Sequence, residues 1–432
     1  MENIHRASMN IEFPHYDNVP GMTVPDRNLL GMFSLPRRRP DEASIQRALD
    51  KPIGTPRLGE LADGKRRVLI ICDDIARPTP AHRIIPYVLE ELSAAGVPDD
   101  GIEFMIALGT HRPMTEREIR DKVGSDVFER FEVHNHHWQD PKALAYIGKT
   151  GQGVEVWVNK KVAQGDLVIG IGRIMPIEVC GFTGGGKIVV PGCCGPVTNS
   201  EMHWTRVDVD SSEILGRRDN PIRRSIDELA RKAGLDFIVN VIMDTDKNIF
   251  DCVAGDLVEA HREGCRRARE FHEVRLPQRA DIVVADGYPF DIEFWQVNKA
   301  LDTAGVCVRK GGVVICVSPC YEGLSQSHHD ELLKYGYHCP QRVRELVGSG
   351  QIRHKVVGVH ILQVTDVSVR RATVFLVTGG IPRCEVEKVG LKYAATPQEA
   401  LDEAFKIAGG DASVLVLHAA GEMLPAFQGE DS

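Results

Sequence analysis

The 432-residue sequence lacks any paired CxxC spacing. Its eleven cysteines are scattered singly apart from the adjacent Cys193 and Cys194, which disfavours a structural zinc site. An odd cysteine count without a secretory pattern fits free, mostly buried thiols in a reducing compartment better than a disulfide framework. No apolar run approaches the length of a membrane span, and the opening MENIHRASMNIEFPHYDNVPG holds no apolar stretch of signal-peptide length. The reading is a cytoplasmic protein with no membrane partner. A basic stripe is missing too, and the formal charge of −9 argues against a grip on nucleic acid phosphates.

What is present is an ordinary globular composition, 43% hydrophobic and 26% charged, in a chain long enough for two cores rather than one. Arg67–Cys72 (RVLIIC) is a short apolar run followed by the loop DDIARPTP and the helical pattern AHRIIPYVLEELSAAG. Ile102–Leu108 (IEFMIAL) repeats the strand signal, with the loop GTHRPMT and a capping Thr115 ahead of the helix EREIRDKVG. Further strands are expected at Asp166–Gly172, Phe237–Met243, Asp281–Gly287 and Gly312–Ser318, and helices over LVEAHREGCRRAREFHEV and LLKYGYHCPQRVRELVG. This alternation predicts two α/β domains with mainly parallel sheets and an active site in the interdomain cleft. The polar stretch Val274–Ala280 marks the expected boundary. Domain 1–277 would carry most of the chemistry and 278–432 would close the cleft.

In open α/β sheets ligands bind beyond the carboxyl ends of the strands, so the loops that follow strands hold the candidates. DDIARPTP places Asp74 and Arg77 in one turn stiffened by Pro78 and Pro80, suited to holding a carboxylate or phosphate; a surface ion pair on a rigid loop would read the same. GTHRPMT offers His111, whose ordinary pKa of about 6.5 suits proton transfer, although a lone loop histidine is more often just solvated. GFTGGGK matches GxxxxGK from Gly181 to Lys187, but Ile188 stands where a Ser or Thr should meet magnesium, which disfavours a nucleoside triphosphatase. Gly184 and Gly185 still imply close backbone approach or positive φ, and Lys187 follows at once. In a desolvated cleft that lysine becomes a nucleophile or attachment point; a solvated lysine after a glycine turn is the alternative.

His203, in NSEMHW, can bind nickel, zinc or copper through a neutral ring nitrogen, with Trp204 as a shield and Glu201 or Asn199 to orient the ring. No second ligand motif surrounds it, so a metal there would draw much of its coordination from a cofactor. The histidines 134, 136 and 137 read mainly as structural, since on a strand His137 faces away from His134 and His136. DGYPFDIEFWQVNK supplies Trp295, Gln296 and Lys299. Trp295 and Lys299 share a helical face, giving an aromatic wall and a cation for an anionic small substrate, or merely the core tryptophan of an amphipathic helix.

In this order, DDIARPTP, GTHRPMT, GFTGGGKIVVPG followed by His203, and DGYPFDIEFWQVNK resemble the lactate racemase family of nickel-pincer nucleotide enzymes, over most of the chain. The glycine–lysine segment with a histidine at the right distance is the most specific part. The resemblance implies a cofactor, a pyridinium-3,5-bisthiocarboxylic acid mononucleotide with nickel, covalently attached through Lys187. Nickel would sit between two sulfurs and a ring carbon, with His203 as the remaining ligand. It also implies that His111 removes the hydroxyl proton of a 2-hydroxy acid while hydride passes to the cofactor, and that Arg77 holds the carboxylate. Asp74 and Thr79 would position the cofactor or its phosphate, Gly184, Gly185 and Trp295 would pack against it, and Gln296 and Lys299 would approach from the second domain. Cofactor-synthesis proteins are implied partners, and a homo-oligomer is compatible with the resemblance.

The chain departs from the family's lactate racemases at Ile177, where they carry a second catalytic histidine. Racemisation needs an acid/base on both faces, so the expected substrate is a 2-hydroxy acid other than lactate, larger or more polar. Glu178, Arg173 or a residue of the second domain would take the missing role. Two further readings stay open: other redox or elimination chemistry on the same cofactor, and a carboxylate-binding homologue without turnover.

Overall fold

The apolar runs form buried strands because both faces of each sheet are covered, as parallel sheets require. In the computed structural model, which describes residues 8–150, 153–209 and 211–429, all six residues of Val68–Asp73 and all seven of Leu167–Arg173 are buried. Alternate side chains of the Val68–Asp73 strand feed two separate cores: Val68, Ile70 and Cys72 pack with Phe104 and Ile169, whereas Leu69 and Ile71 pack with Ile188 and Ile238.

The chain divides into two compact units, Pro36–Phe271 and a second one built from the stretch up to Leu35 together with the chain from His272 onward. This differs from the expected split of 1–277 and 278–432. Leu29–Phe33 pairs in parallel with Val414–Leu417, and Asn28 Nδ2 donates to the carbonyls of Gly410 (3.0 Å) and Ala412 (2.9 Å), which draws the first segment into the second unit. Glu273–Leu276 likewise pairs with Leu424–Phe427, moving the boundary earlier.

The sheet of Pro36–Phe271 runs, edge to edge, Ile249–Gly255, Phe237–Met243, Leu167–Arg173, Val68–Asp73, Ile102–Ala107, Glu132–Asn135. Only the first pair is antiparallel. Chain order reverses between Val68–Asp73 and Leu167–Arg173, so the crevice beyond their carboxyl ends is the topological switch point where ligands bind in such sheets. The other unit holds a six-stranded, wholly parallel sheet in the order Lys392–Ala394, Ala372–Val377, Val308–Val317, Ala280–Asp286, Val414–Leu417, Leu29–Phe33.

The two expected helices differ from what forms. LLKYGYHCPQRVRELVG becomes His329–Tyr335 and Pro340–Gly348, broken at Gly336 (φ 58°) and restarted by Pro340 in the first turn. The other is shorter than expected, Glu259–His272, and gives way directly to the Glu273–Leu276 strand. Among the described residues no helix is long and apolar enough to cross a membrane.

Candidate active site

At the carboxyl end of Val68–Asp73 the chain turns sharply, Arg77 N–H donating to Asp74 O at 3.0 Å. Asp73 and Asp74 are both buried, and adjacent carboxylates out of water demand partners. Thr79 Oγ1 donates to Asp73 Oδ2 at 2.6 Å, and Lys122 Nζ meets Asp73 Oδ1 at 2.5 Å. The same ammonium also donates to the carbonyls of Asp74 (3.1 Å) and Arg77 (2.8 Å), so one buried cation from the helix Glu116–Val123 holds the whole turn.

Asp74 Oδ2 lies 2.5 Å from His111 Nδ1. Burial pushes the Asp74 carboxyl up, but the His111, Arg77 and Lys122 charges and the His111 bond outweigh it and leave the pKa below the ordinary value. Asp73, more dominated by burial, is raised despite Lys122 and Thr79. With Asp74 ionised and accepting from Nδ1–H, Nε2 is the basic nitrogen of His111. The sequence reading gave Asp74 and Thr79 to the cofactor or its phosphate. In the structure the Asp74 carboxylate meets the His111 ring and the Thr79 hydroxyl donates to Asp73.

His111 itself sits after Ile102–Ala107, on a loop whose Gly109 (φ 60°) donates to Gly192 O at 2.9 Å. That bond ties the histidine loop to the segment that follows Lys187.

After Leu167–Arg173 a two-residue hairpin, Pro176–Ile177 against Gly181–Phe182, leads into a tight turn, Gly185–Ile188, that presents Lys187. Gly184 (φ 78°) and Gly185 (φ 58°) are required here, but by the protein's own neighbours: a Cβ on Gly184 would meet Asn240 Oδ1 at 2.7 Å, and one on Gly185 would meet the His261 ring at 2.7 Å. Ile177 points into the apolar core with Ile188 and Val190, whereas Glu178 is buried within electrostatic reach of Lys187. Burial pulls the Lys187 pKa down to about 8, with Arg77 and Arg223 acting in the same sense against Cys180 and Glu178. Burial thus favours the neutral, nucleophilic form of the amine.

His203 lies in the last turn of the helix Pro196–Trp204 and its Nδ1 donates to Asn199 O at 2.8 Å. The Asn199 backbone, one of the two residues foreseen as orienting the ring, does so through its carbonyl. Burial, then the charge of Lys187, lowers the His203 pKa to about 4, with His111 and Arg206 adding to it and the Asn199 bond opposing. The ring is thus neutral near pH 7 with Nδ1 protonated, which leaves the Nε2 lone pair as a metal donor. His203 feels both Lys187 and His111, and Lys187 feels Arg77, so loops following three neighbouring strands converge on one site.

The donor set fits the implied cofactor: a lysine of lowered pKa for attachment and one neutral histidine for the metal. Sequence reasoning missed Lys122, Arg223 and His261, which hold this site from behind.

Trp295, Gln296 and Lys299 stand on the helix Phe294–Cys307 of the other unit. Lys299 Nζ donates to Gln296 Oε1 at 2.6 Å and lies 4.7 Å from the centre of the Phe290 ring. Trp295 stacks on His360, with ring centres 4.2 Å apart. Of the clustered histidines, His136 is buried between Cys194 O and Asn159, and His134 pairs with Glu103 and Glu132. The trio Glu103, Glu132 and His134 is the one group of potential metal donors among the described residues, but the Lys161 ammonium rests on Glu103 and makes it an ion-pair cluster.

The lactate racemase N-terminal domain family matches residues 18–214, and the lactate racemase C-terminal domain family matches residues 276–421. The lactate racemase of Lactiplantibacillus plantarum is 32% identical over 321 residues, covering 72% of this chain and 75% of that protein. The lactate racemase of Thermoanaerobacterium thermosaccharolyticum is 31% identical over 322 residues, covering 73% and 75%. The structure of the lactate racemase apoprotein from T. thermosaccharolyticum aligns with a TM-score of 0.84 at 26% identity, over 97% of this chain and 100% of that one. A Thermotoga maritima protein structure shares the fold, with a TM-score of 0.74 at 23% identity over 92% and 100%. The chain belongs to the lactate racemase family, whose named relatives here are isomerases acting on a hydroxy acid.

Proposed function

We propose that this protein is a racemase or epimerase of a 2-hydroxy acid other than lactate, working with a nickel-pincer nucleotide attached through Lys187. The observation that carries the reading is the convergence of a lysine of lowered pKa, a neutral histidine and an aspartate-oriented histidine at one switch point. Lys187 is the attachment point and His203 Nε2 the metal donor. The group, when bound, supplies an acceptor and donor of hydride. Arg77 pairs with the substrate carboxylate through its guanidinium fork. His111 Nε2 takes the hydroxyl proton, and the resulting charge is stabilised by Asp74.

Ile177 cannot serve the second face, because its side chain is committed to the apolar core. Glu178 is the acid/base proposed for that role, its carboxyl lying close enough to act on Lys187. A second polar face suits a substrate with more hydroxyl or carboxylate groups than lactate. Chiral analysis of a 2-hydroxy-acid panel incubated with the nickel-loaded enzyme tests this. Loss of optical purity with a larger, polar acid and none with lactate is the expected result, abolished in Glu178→Gln. A keto acid accumulating without scrambling would replace the reading with one-sided redox chemistry, and saturable binding without turnover would replace it with a carboxylate-binding homologue.

A further inference from the structure

Behind the loop that presents Lys187 lies a buried polar cluster that takes no part in the chemistry proposed above. Arg223, on the helix Pro221–Ala233, is 1% exposed and donates to Phe182 O through Nη2 and to Gly184 O through Nη1 at 3.3 Å. His261, wholly buried on the helix Glu259–His272, donates from Nε2 to the intervening Thr183 O at 2.8 Å. Three successive carbonyls are thus held by two side chains. Asn240 Oδ1 accepts from Gly185 N–H at 2.8 Å, and its own amide is fixed by donation to Val239 O at 3.0 Å.

Asp227, one helical turn along, lies 3.5 Å from Arg223 Nη1 and steadies the guanidinium. The His261 ring fills the space a side chain on Gly185 would need, so loop and ring fit as a pair.

We infer that Arg223 and His261 are positioning residues for Lys187: by holding the carbonyls of Phe182, Thr183 and Gly184 they fix the direction in which the turn delivers the lysine amine. The inference rests on reading Lys187 as the reactive amine, and not on which cofactor it takes. Burying a guanidinium beside neutral carbonyls is costly, and a loop needing only to close would be served by water. Desolvation of the Lys187 amine depends on the same packing, since a loosened loop admits water to it.

The test is the pH profile of Lys187 modification by an amine-selective acylating reagent, read by peptide mass spectrometry on the full chain expressed without cofactor. Arg223→Lys keeps the charge but loses the two-pronged grip. His261→Phe keeps the ring volume and, because the native imidazole is held neutral by burial, changes no charge. The wild-type midpoint is expected near pH 8. Each variant is expected to move it upward, lowering the labelling rate at pH 7 about tenfold per unit, while exposed Lys406 reacts unchanged. Wild-type profiles in both variants would overturn the inference.

If neither variant folds, the His261 ring proton on the unsubstituted chain decides: an Nε2–H bonded to Thr183 O is expected to exchange slowly with water, and exchange at solvent rates would overturn the inference. A shifted profile in a chain that never takes up a cofactor would sink the proposed function alone and leave the clamp standing.

Discussion

The turn after Val68–Asp73 and the loop after Leu167–Arg173 flank the same switch point, yet they are held by opposite means. The first is packed with charge: two buried aspartates, one of them ionised against His111, pinned by Lys122. The second carries no acid between Gly181 and Lys187 and is shaped by close backbone approach, its carbonyls gripped from outside. A turn built from ion pairs presents a histidine whose ring is oriented by a buried carboxylate. A loop built from glycine presents an amine whose position depends on close packing and on the side chains that hold the loop's carbonyls. Damage should therefore be electrostatic in the first and steric in the second.

The largest effect is expected at the tip of the charged turn. His111→Gln removes the proposed base and should lower kcat roughly 10²- to 10⁴-fold with KM little changed, checked by steady-state kinetics on loaded enzyme with the substrate the panel identifies. Lys122→Met leaves Asp73 buried without its cation, and a loss of about 3–5 kcal/mol is expected in denaturant unfolding.

The pH dependence of the two acids separates them further. Asp74, lowered in the fold, contributes stability above its unfolded pKa that is lost as pH falls through its lower folded value; Asp73, raised in the fold, opposes folding once ionised. Asp74→Asn should accordingly remove part of the acid-sensitive stability, which melts recorded from pH 7 down to pH 3 will report.

In the glycine loop Gly185→Ala forces a Cβ toward the His261 ring at positive φ. A cost of about 1–3 kcal/mol is expected, with no change in the acid limb of the stability profile. The smallest consequence for chemistry is expected at Ile177. Ile177→His places an imidazole in the apolar core and should destabilise by about 1–3 kcal/mol without producing lactate racemisation. Lactate turnover in that variant would mean the side chain reaches the crevice after all.

The candidate residues Arg77, His111 and Lys187 are legible in the sequence because they stand in loops punctuated by glycine and proline at strand ends, and His203 because it follows on the short helix after the glycine loop. The residues that hold the site are not. Lys122 in EREIRDKVG, Arg223 in PIRRSIDELARKA and His261 in EAHREGCRRAREFH each lie among helical charges that mostly face water, and a single sequence gives no sign of which one turns inward. The glycines were read for what they permit, but the neighbours occupying their space, Asn240 and His261, are distant in sequence. For the same reason, the pairing of Leu29–Phe33 with Val414–Leu417 leaves no local trace in the sequence. The strand pattern itself was readable, because buried parallel strands show as short continuous apolar runs.

The central claim, that Lys187 is the attachment point of a nickel-carrying cofactor, is tested most directly by coexpressing the chain with cofactor-synthesis proteins and measuring nickel content and the mass of the Lys187 peptide. The account predicts bound nickel and a mass increment confined to that peptide, both lost in Lys187→Ala. A preparation with neither, from a folded chain, would contradict it.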